Sequence, residues 1–396
     1  MSTLEHAADS SASPPGTLRL LGQRGIGWLC GAASFLWCAG CATPPHAEAT
    51  SHAGAAAISA TCAIPSTIVD FPIAGAIGNQ WNGATSTLAW GRPRVDGHYG
   101  TYLSDLDGGH ARRLRFAGWR NDTHQFPVAW HPSGRYLVVT VEKAHHPGSS
   151  VGATPGYGGY SDYWLVSADA SKAWKLVDLP NDGDHAITHA AFSPDGHKFI
   201  WTERIKAPNL LSLNRFAGAY EFNVATFVDG PTPHLADIRH IIPGHADQGG
   251  EVESMAPDNK TIAFYSTYVT RNLFASRIYT MDITSGDIRE LTTQSWAQAP
   301  TFTPGGKRIV YATGRQADIF PFSLQGADWW MMDRGGTHQR RLTYMNVRGS
   351  PQSVGKFRLA GSVSFISDNA FLGDVMTHSF GLVGKIVRVT IKPACR

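Results

Sequence analysis

Histidine and glutamate supply the residues best suited to chemistry. The chain has 17 histidines. Several stand just ahead of an apolar run: His124 in Asp122-Thr-His-Gln-Phe126, His185 and His189 in Asp184-His-Ala-Ile-Thr-His189, and His245 in Pro243-Gly-His-Ala-Asp247. Glu251 and Glu253 occupy the same place ahead of a fourth run. Imidazoles and carboxylates brought together can hold a divalent metal, or bind an anionic or sugar ligand. Other chemistries find little support. There is no Gly-x-Ser-x-Gly in a strand-to-helix context and no His-Glu-x-x-His. The glycine-rich stretch 148–159 lacks the Gly-Lys-Ser/Thr ending of a phosphate loop.

What must position these residues is a repeated strand–turn–strand unit. Ala190-Ala-Phe-Ser-Pro-Asp-Gly-His-Lys-Phe-Ile200 is its fullest copy, and related copies surround Pro132, Pro257 and Pro304. Successive turn prolines are 62, 63 and 47 residues apart (194−132, 257−194, 304−257). Proline fixes φ and glycine permits positive φ, so each copy reads as a tight turn between strands. A further strand ending near Asp, a polar turn and a last strand follow, as in Arg277–Thr292, Asp328–Thr343 and Thr101–Arg115. Four antiparallel strands per repeat predict propeller blades. Asp195 and Asp258 read as turn caps rather than site residues.

The pattern Ser-Pro-Asp-Gly-Lys, apolar strand, Ile-Tyr-x-Met-Asp, Arg-Arg-Leu-Thr resembles the TolB-like, WD40-like propeller family over roughly residues 66–392. The resemblance implies an all-β, six-bladed propeller. Blades are expected at 76–115, 126–177, 187–242, 251–291, 300–342 and 360–391. The last is one strand short and Thr67–Ile73 is one strand spare. Closure of the ring by the N-terminal strand follows. Innermost strands all run the same way, so His124, His185, His189, His245, Glu251 and Glu253 are expected around one mouth of the channel. Oligogalacturonate lyases resemble this arrangement, but their ligand motif does not map onto these residues.

Ahead of the propeller, the uncharged run 25–40 follows Arg19 and Arg24 and reads as a secretory h-region. Cys38-Ala-Gly-Cys41 resembles a bacterial lipobox, with Cys38 where the family prefers Leu, and implies lipid attachment at Cys41. The alternative is an ordinary signal peptide cut further on. The expected organisation is an export segment over 1–41, a flexible tether over 42–65 and the propeller over 66–396. Cys62 and Cys395 are then the folded domain's cysteines. Antiparallel pairing of the terminal strands would put them at one end and favour a disulfide; two unrelated thiols are the alternative.

Charged residues make up 16% of the chain and its net charge is +3, with no long basic run, which argues against nucleic-acid binding. The family's namesake works in a periplasmic complex with a peptidoglycan-associated lipoprotein. Residues 42–65 are too short for the α/β domain that precedes its propeller, so the resemblance covers the propeller alone. The functional expectation is an exported, membrane-tethered, non-catalytic module binding an envelope protein or glycan, with no cofactor required. The alternative is a propeller enzyme acting on acidic polysaccharide through a His-rich metal site. Trp296, Trp329 or the tyrosines 157, 160 and 163 are candidates for an aromatic contact face. His145-His146-Pro147 reads as an exposed turn.

Overall fold

The computed structural model describes residues 65–207, 218–244, 249–267, 269–270, 275–293, 296–314, 326–353, 358–377 and 384–392. Blade one is β2 (Ile77–Asn82), β3 (Thr87–Pro93), β4 (Tyr99–Ser104) and β5 (Arg112–Arg113). Blade two is β6 (Gln125–Trp130), β7 (Tyr136–Glu142), β8 (Ser161–Ser167) and β9 (Ala173–Val177). Blade three is β10 (Ala186–Phe192), β11 (Lys198–Lys206), β12 (Ala219–Val228) and β13 (His234–Ile241). Blade four is β14 (Gly250–Met255), β15 (Thr261–Ser266), β16 (Arg277–Asp282) and β17 (Ile288–Glu290). Blade five is β18 (Ala297–Phe302), β19 (Arg308–Thr313), β20 (Asp328–Asp333) and β21 (Arg340–Arg341). Blade six is β22 (Arg358–Ser367), β23 (Ala370–Thr377), β24 (Gly384–Ile391) and, from the other end of the chain, β1 (Ser66–Asp70). Every pairing within a blade is antiparallel.

The turn chemistry explains the hairpins. Asp195 accepts a hydrogen bond from His197 N at 3.0 Å, and Ser193 Oγ accepts one from Lys198 N at 2.8 Å. Gly196 sits at φ +78°, and a Cβ there would fall 2.5 Å from His131 Nε2 of the preceding blade. Asp258 repeats the device, accepting from Lys260 N and Thr261 N. Both aspartates are turn caps, as expected.

The apolar residues form six clusters, one in each seam between neighbouring blades. This is why second and third strands carry apolar residues at consecutive positions, as in Phe199–Trp201 and Trp329–Met332: both of their faces meet another blade. All seven residues of β7 are buried. The same geometry corrects the expectation of Trp329 as a contact residue. Alternation sends Trp329 into the seam with blade six and Trp330 into the seam with blade four, so both are buried. Trp296 is half-buried against the seam between blades five and six.

β1 closes the ring on β24, with Ser66 opposite Ile391 and Asp70 opposite Val387. Lys392 N donates to Pro65 O at 2.7 Å, and Ser66 Oγ donates to Leu342 O of blade five at 2.6 Å. A 3-10 turn lies at Ser150–Ala153, and among the described residues no helix is long and apolar enough to cross a membrane.

All six innermost strands break register against their neighbours. The bulges lie between Ile77 and Gln80, Pro127 and Ala129, Ile187 and Ala190, Val252 and Ser254, Gln298 and Thr301, and Ala360 and Val363. A bulge leaves residues without a ladder partner and re-aims their side chains. Here it does so at the same level of every blade around the axis.

Candidate axial site

Three of the six expected site residues meet at these bulges. His189 lies inside β10, not ahead of it, and Glu251 and Glu253 lie inside β14. His189 Nδ1 is 3.1 Å from Glu251 Oε2 and Nε2 is 3.7 Å from Glu253 Oε2. The Nδ1 contact lacks hydrogen-bond alignment and is an ion pair. Nε2 also lies 3.3 Å from Ser362 Oγ, at the bulge of blade six. Tyr265 on β15 donates its hydroxyl to Glu251 Oε2.

Blade six adds a third acid. Asp374 on β23 accepts from Gly78 N at 3.0 Å, reaching the bulge of blade one. Asn79 Nδ2 donates to Ser362 O at 3.3 Å. Gly78 stands at φ +70° against the Phe126 ring, where a Cβ would approach to 2.2 Å, so glycine is required there. Ser362, Asp374 and Asn79 were not legible as site residues. Blade six lacks the Pro-Asp-Gly turn that sets the register elsewhere, and Asp374 lies on a second strand, read as core.

The electrostatics follow from crowding three carboxylates around one imidazole. Burial works against the charge on His189, but Glu253 and Glu251 override it and Asp374 adds to them, pushing its pKa up to about 10. Packed protein surrounds the imidazole, yet 35% of its side-chain surface remains open to the channel. Glu253 is 4% exposed and is raised to about 7, by burial first and then by Glu251, with His189 opposing. Asp374 is raised to about 6 by burial, against its bonds to Asn79 and Gly78. Burial also opposes charge on Glu251, but His189 and Tyr265 hold it below its usual value. The cluster therefore carries a cationic imidazole and more than one anionic carboxylate at neutral pH.

His189, Glu251 and Glu253 can each offer a ligand atom, all within 4.8 Å of one another. One imidazole and two carboxylates suit a divalent metal in type. A metal would first have to displace the proton that the two glutamates hold on His189.

The other expected residues do not join this site. His124 is buried where blade one meets blade two: its Nδ1 accepts from Tyr99 N at 3.0 Å and its own N–H donates to Glu142 at 2.7 Å. Burial lowers its pKa and keeps the ring neutral. Its grouping with His98 and Glu142 has the composition of a metal site, and in it the bonds to Tyr99, to the His124 backbone and to His146 already engage His124 and Glu142. His185 closes a local turn on Asp182 at 2.9 Å. His245 lies outside the described residues, as do Cys41, Cys62 and Cys395.

His146 corrects the expectation of an exposed turn. Its side chain is 8% exposed, paired to Glu142 at 2.9 Å and stacked on Tyr160 at 4.6 Å. The loop after β7 folds back over its own blade. Tyr163 is fully buried in the seam between blades two and three, so of the three tyrosines Tyr157 alone is well exposed. In that loop Gly148-Ser-Ser-Val-Gly152 has the letters of a nucleophile elbow, but its Ser150 hydroxyl bonds to Glu142, and the neighbouring His124 ring reaches the Ser150 backbone.

Fold and site together define a closed six-bladed β-propeller with an acid–histidine cluster on its axis. No protein-family model and no curated protein matches the chain. Solved structures similar to it include TolB from Acinetobacter baumannii (14% identity, 82% of this chain and 66% of that one, TM-score 0.47). TolB from Agrobacterium tumefaciens is another (16%, 72% and 94%, TM-score 0.39). A puromycin-hydrolysing peptidase from Mycobacterium tuberculosis is a third (15%, 80% and 52%, TM-score 0.45). The chain thus spans about two-thirds of the first TolB and half of the peptidase. These are likenesses of fold.

Proposed function

We propose that this chain is an exported propeller of the cell envelope that binds a protein partner on the face where the innermost strands begin, with a basic group of that partner directed at the axial carboxylates. The observation that carries the reading is the composition of the axial cluster: Glu251, Glu253 and Asp374 face a single histidine. An acidic hollow with low-dielectric walls favours a cation and repels a polyanion.

The surface around it supports the same reading. By the antiparallel strand order, second strands end and third strands begin on this face, where the innermost strands also begin. Five of the seven exposed large apolar residues among the described residues lie in the segments joining or leading into these strand ends: Val95, Val151, Tyr157, Ile242 and Val269. Apolar loop tips around a charged centre suit a protein contact. Crosslinking and pull-down of the tethered protein tests the proposal. A stoichiometric partner lost in the Glu251→Gln/Glu253→Gln double variant supports it. A partner retained by that variant at unchanged affinity refutes the axial reading.

A second reading rests on the ligand geometry of His189, Glu251 and Glu253: a divalent metal there would reverse the local charge and admit an acidic polysaccharide, as an enzyme of that class needs. Stoichiometric metal in purified protein, lost in His189→Ala, together with turnover of uronic-acid oligomers, would favour it. Export and lipid attachment at Cys41 belong to the proposal. Radiolabelled palmitate incorporated by the native chain and not by Cys41→Ser checks the anchor.

A further inference from the structure

A pocket of about 240 Å3 opens at the rim between blades one and two, away from the axis. We propose that it binds a carboxylate-bearing sugar ring. The site is separate from the axial cluster and does not depend on the partner assigned to it.

The walls are aromatic. Trp119, from the segment joining the two blades, meets Trp164 of β8 edge to face at 6.0 Å. Indole faces receive the apolar C–H face of a sugar ring, and their rigidity limits the entropy lost on binding. The volume is below the roughly 300–1,000 Å3 of sites for drug-sized ligands and suits one ring.

The base is a charge cluster with one replaceable member. Asp162 on β8 is 5% exposed and fixed: it receives Lys143, Lys175 at 3.1 Å and the backbone N–H of Leu179 at 3.1 Å. Asp178, just beyond β9, meets the same two ammonium groups at 3.0 and 3.1 Å but is 64% exposed. The two lysines therefore share one buried carboxylate and one solvent-exposed one. A ligand carboxylate can take the place of Asp178, with its ring against Trp164, over which Lys175 Nζ already lies at 5.6 Å. Arg120 also lines the pocket, with its guanidinium paired to Asp122 at 2.8 Å, and Glu142 lines it with its carboxylate engaged by His146 at 2.9 Å, so the two lysines are the cations that face a ligand. A carboxylated ring suits these lysines, whereas the axial cluster presents like charge.

Hexuronic acids of acidic polysaccharides and muramic acid of cell-wall saccharides share this chemistry. Calorimetric titration of the protein at low salt with a galacturonate oligomer, a muramyl saccharide and a neutral oligomer of equal length decides between them and tests the site. One or both carboxylated ligands should bind with a change in tryptophan fluorescence, and the neutral one should not. Lys175→Ala and Trp164→Ala should each weaken binding about tenfold, the scale of one charge-assisted bond or one aromatic contact. Asp178→Asn, at an exposed position, should tighten it by releasing both lysines. The axial Glu251→Gln/Glu253→Gln variant should bind unchanged, so failure here and failure of the axial reading are separable. Equal binding of the neutral oligomer, no binding of either carboxylated ligand, or weaker binding by Asp178→Asn would overturn the proposal.

Discussion

His189 of blade three places its Nε2 3.3 Å from the hydroxyl oxygen of Ser362 in blade six. In a ring of six, those blades face one another across the axis. The contact therefore spans the channel, and one imidazole ties blades three, four and six together through Ser362, Glu251 and Glu253.

Removing that imidazole should destabilise the ring. His189→Ala leaves Glu251 and Glu253 facing each other without a counter-charge. The ring is a third exposed, so solvent screening moderates the loss to about 1–3 kcal/mol, between the values for surface and buried pairs. Adding Glu253→Gln should recover part of it, because the second substitution removes the uncompensated charge. Urea denaturation of the single and double variants reads this out as a coupling energy. Strict additivity would show that the contact carries no weight.

The same cluster sets a pH dependence. Folding raises three pKa values: Asp374 from 3.8 to about 6, Glu253 from 4.5 to about 7 and His189 from 6.5 to about 10. In each case the native state holds its proton more tightly than the unfolded chain. The stabilisation is complete below the unfolded pKa and is lost as pH rises through the folded one. For His189 the window is pH 6.5 to about 10. The gap in melting temperature between the native chain and His189→Gln should therefore narrow from pH 6.5 to pH 10. A gap that is constant or widens with pH contradicts the assignment.

Blade number, blade limits and ring closure were legible because the turn chemistry repeats: Pro194-Asp195-Gly196 and Pro257-Asp258-Asn259 mark the same point of successive blades. The axial pairing was legible in part. His189, Glu251 and Glu253 stand out as polar residues at the start of apolar runs. What could not be read was the bulge that turns them to the axis, since a register shift leaves no mark in an apolar/polar pattern. His124 has the same sequence position, yet its Nδ1 is taken by the Tyr99 amide of the preceding blade. Such a long-range bond follows from blade packing and not from local sequence. The rim pocket was equally hidden, because Trp119 and Trp164 are 45 residues apart (164−119) and meet through the seam between blades one and two.

Asp258 joins its own turn to the next blade and should show the opposite pH sign. It caps the Lys260 and Thr261 amides, and Arg334 of blade five reaches its carboxylate and Thr261 Oγ1. Burial opposes its charge, but Arg334 and the turn donors hold the carboxyl well below the usual range. Its stabilisation is present above the unfolded value of 3.8 and is lost as pH falls through the folded pKa. Asp258→Ala should cost about 1–2 kcal/mol at pH 7, the scale of a lost cap with a partly exposed ion pair. Denaturation at pH 7 and at pH 3 should show that cost shrinking in acid. An undiminished cost at pH 3 would assign the effect to packing.

Closure of the ring makes the last prediction, for the two terminal cysteines. The Lys392 N to Pro65 O bond holds the two ends of the propeller together at 2.7 Å. Cys62 lies three residues before Pro65 and Cys395 three residues after Lys392. Equal short spans from a shared anchor let the thiols meet in an oxidising compartment. A bond between them would enclose nearly the whole propeller, and disulfides typically contribute ~2–4 kcal/mol. Intact mass of exported protein, alkylated with and without prior reduction, should show two alkyl groups gained only after reduction. The Cys62→Ser/Cys395→Ser pair should then unfold at lower denaturant with β1 the first segment to exchange its amides, since blade six alone is built from both ends of the chain. Two alkylated thiols in the unreduced protein would exclude the bond and leave closure to noncovalent contacts such as the β1–β24 ladder, the Lys392–Pro65 bond and Ser66.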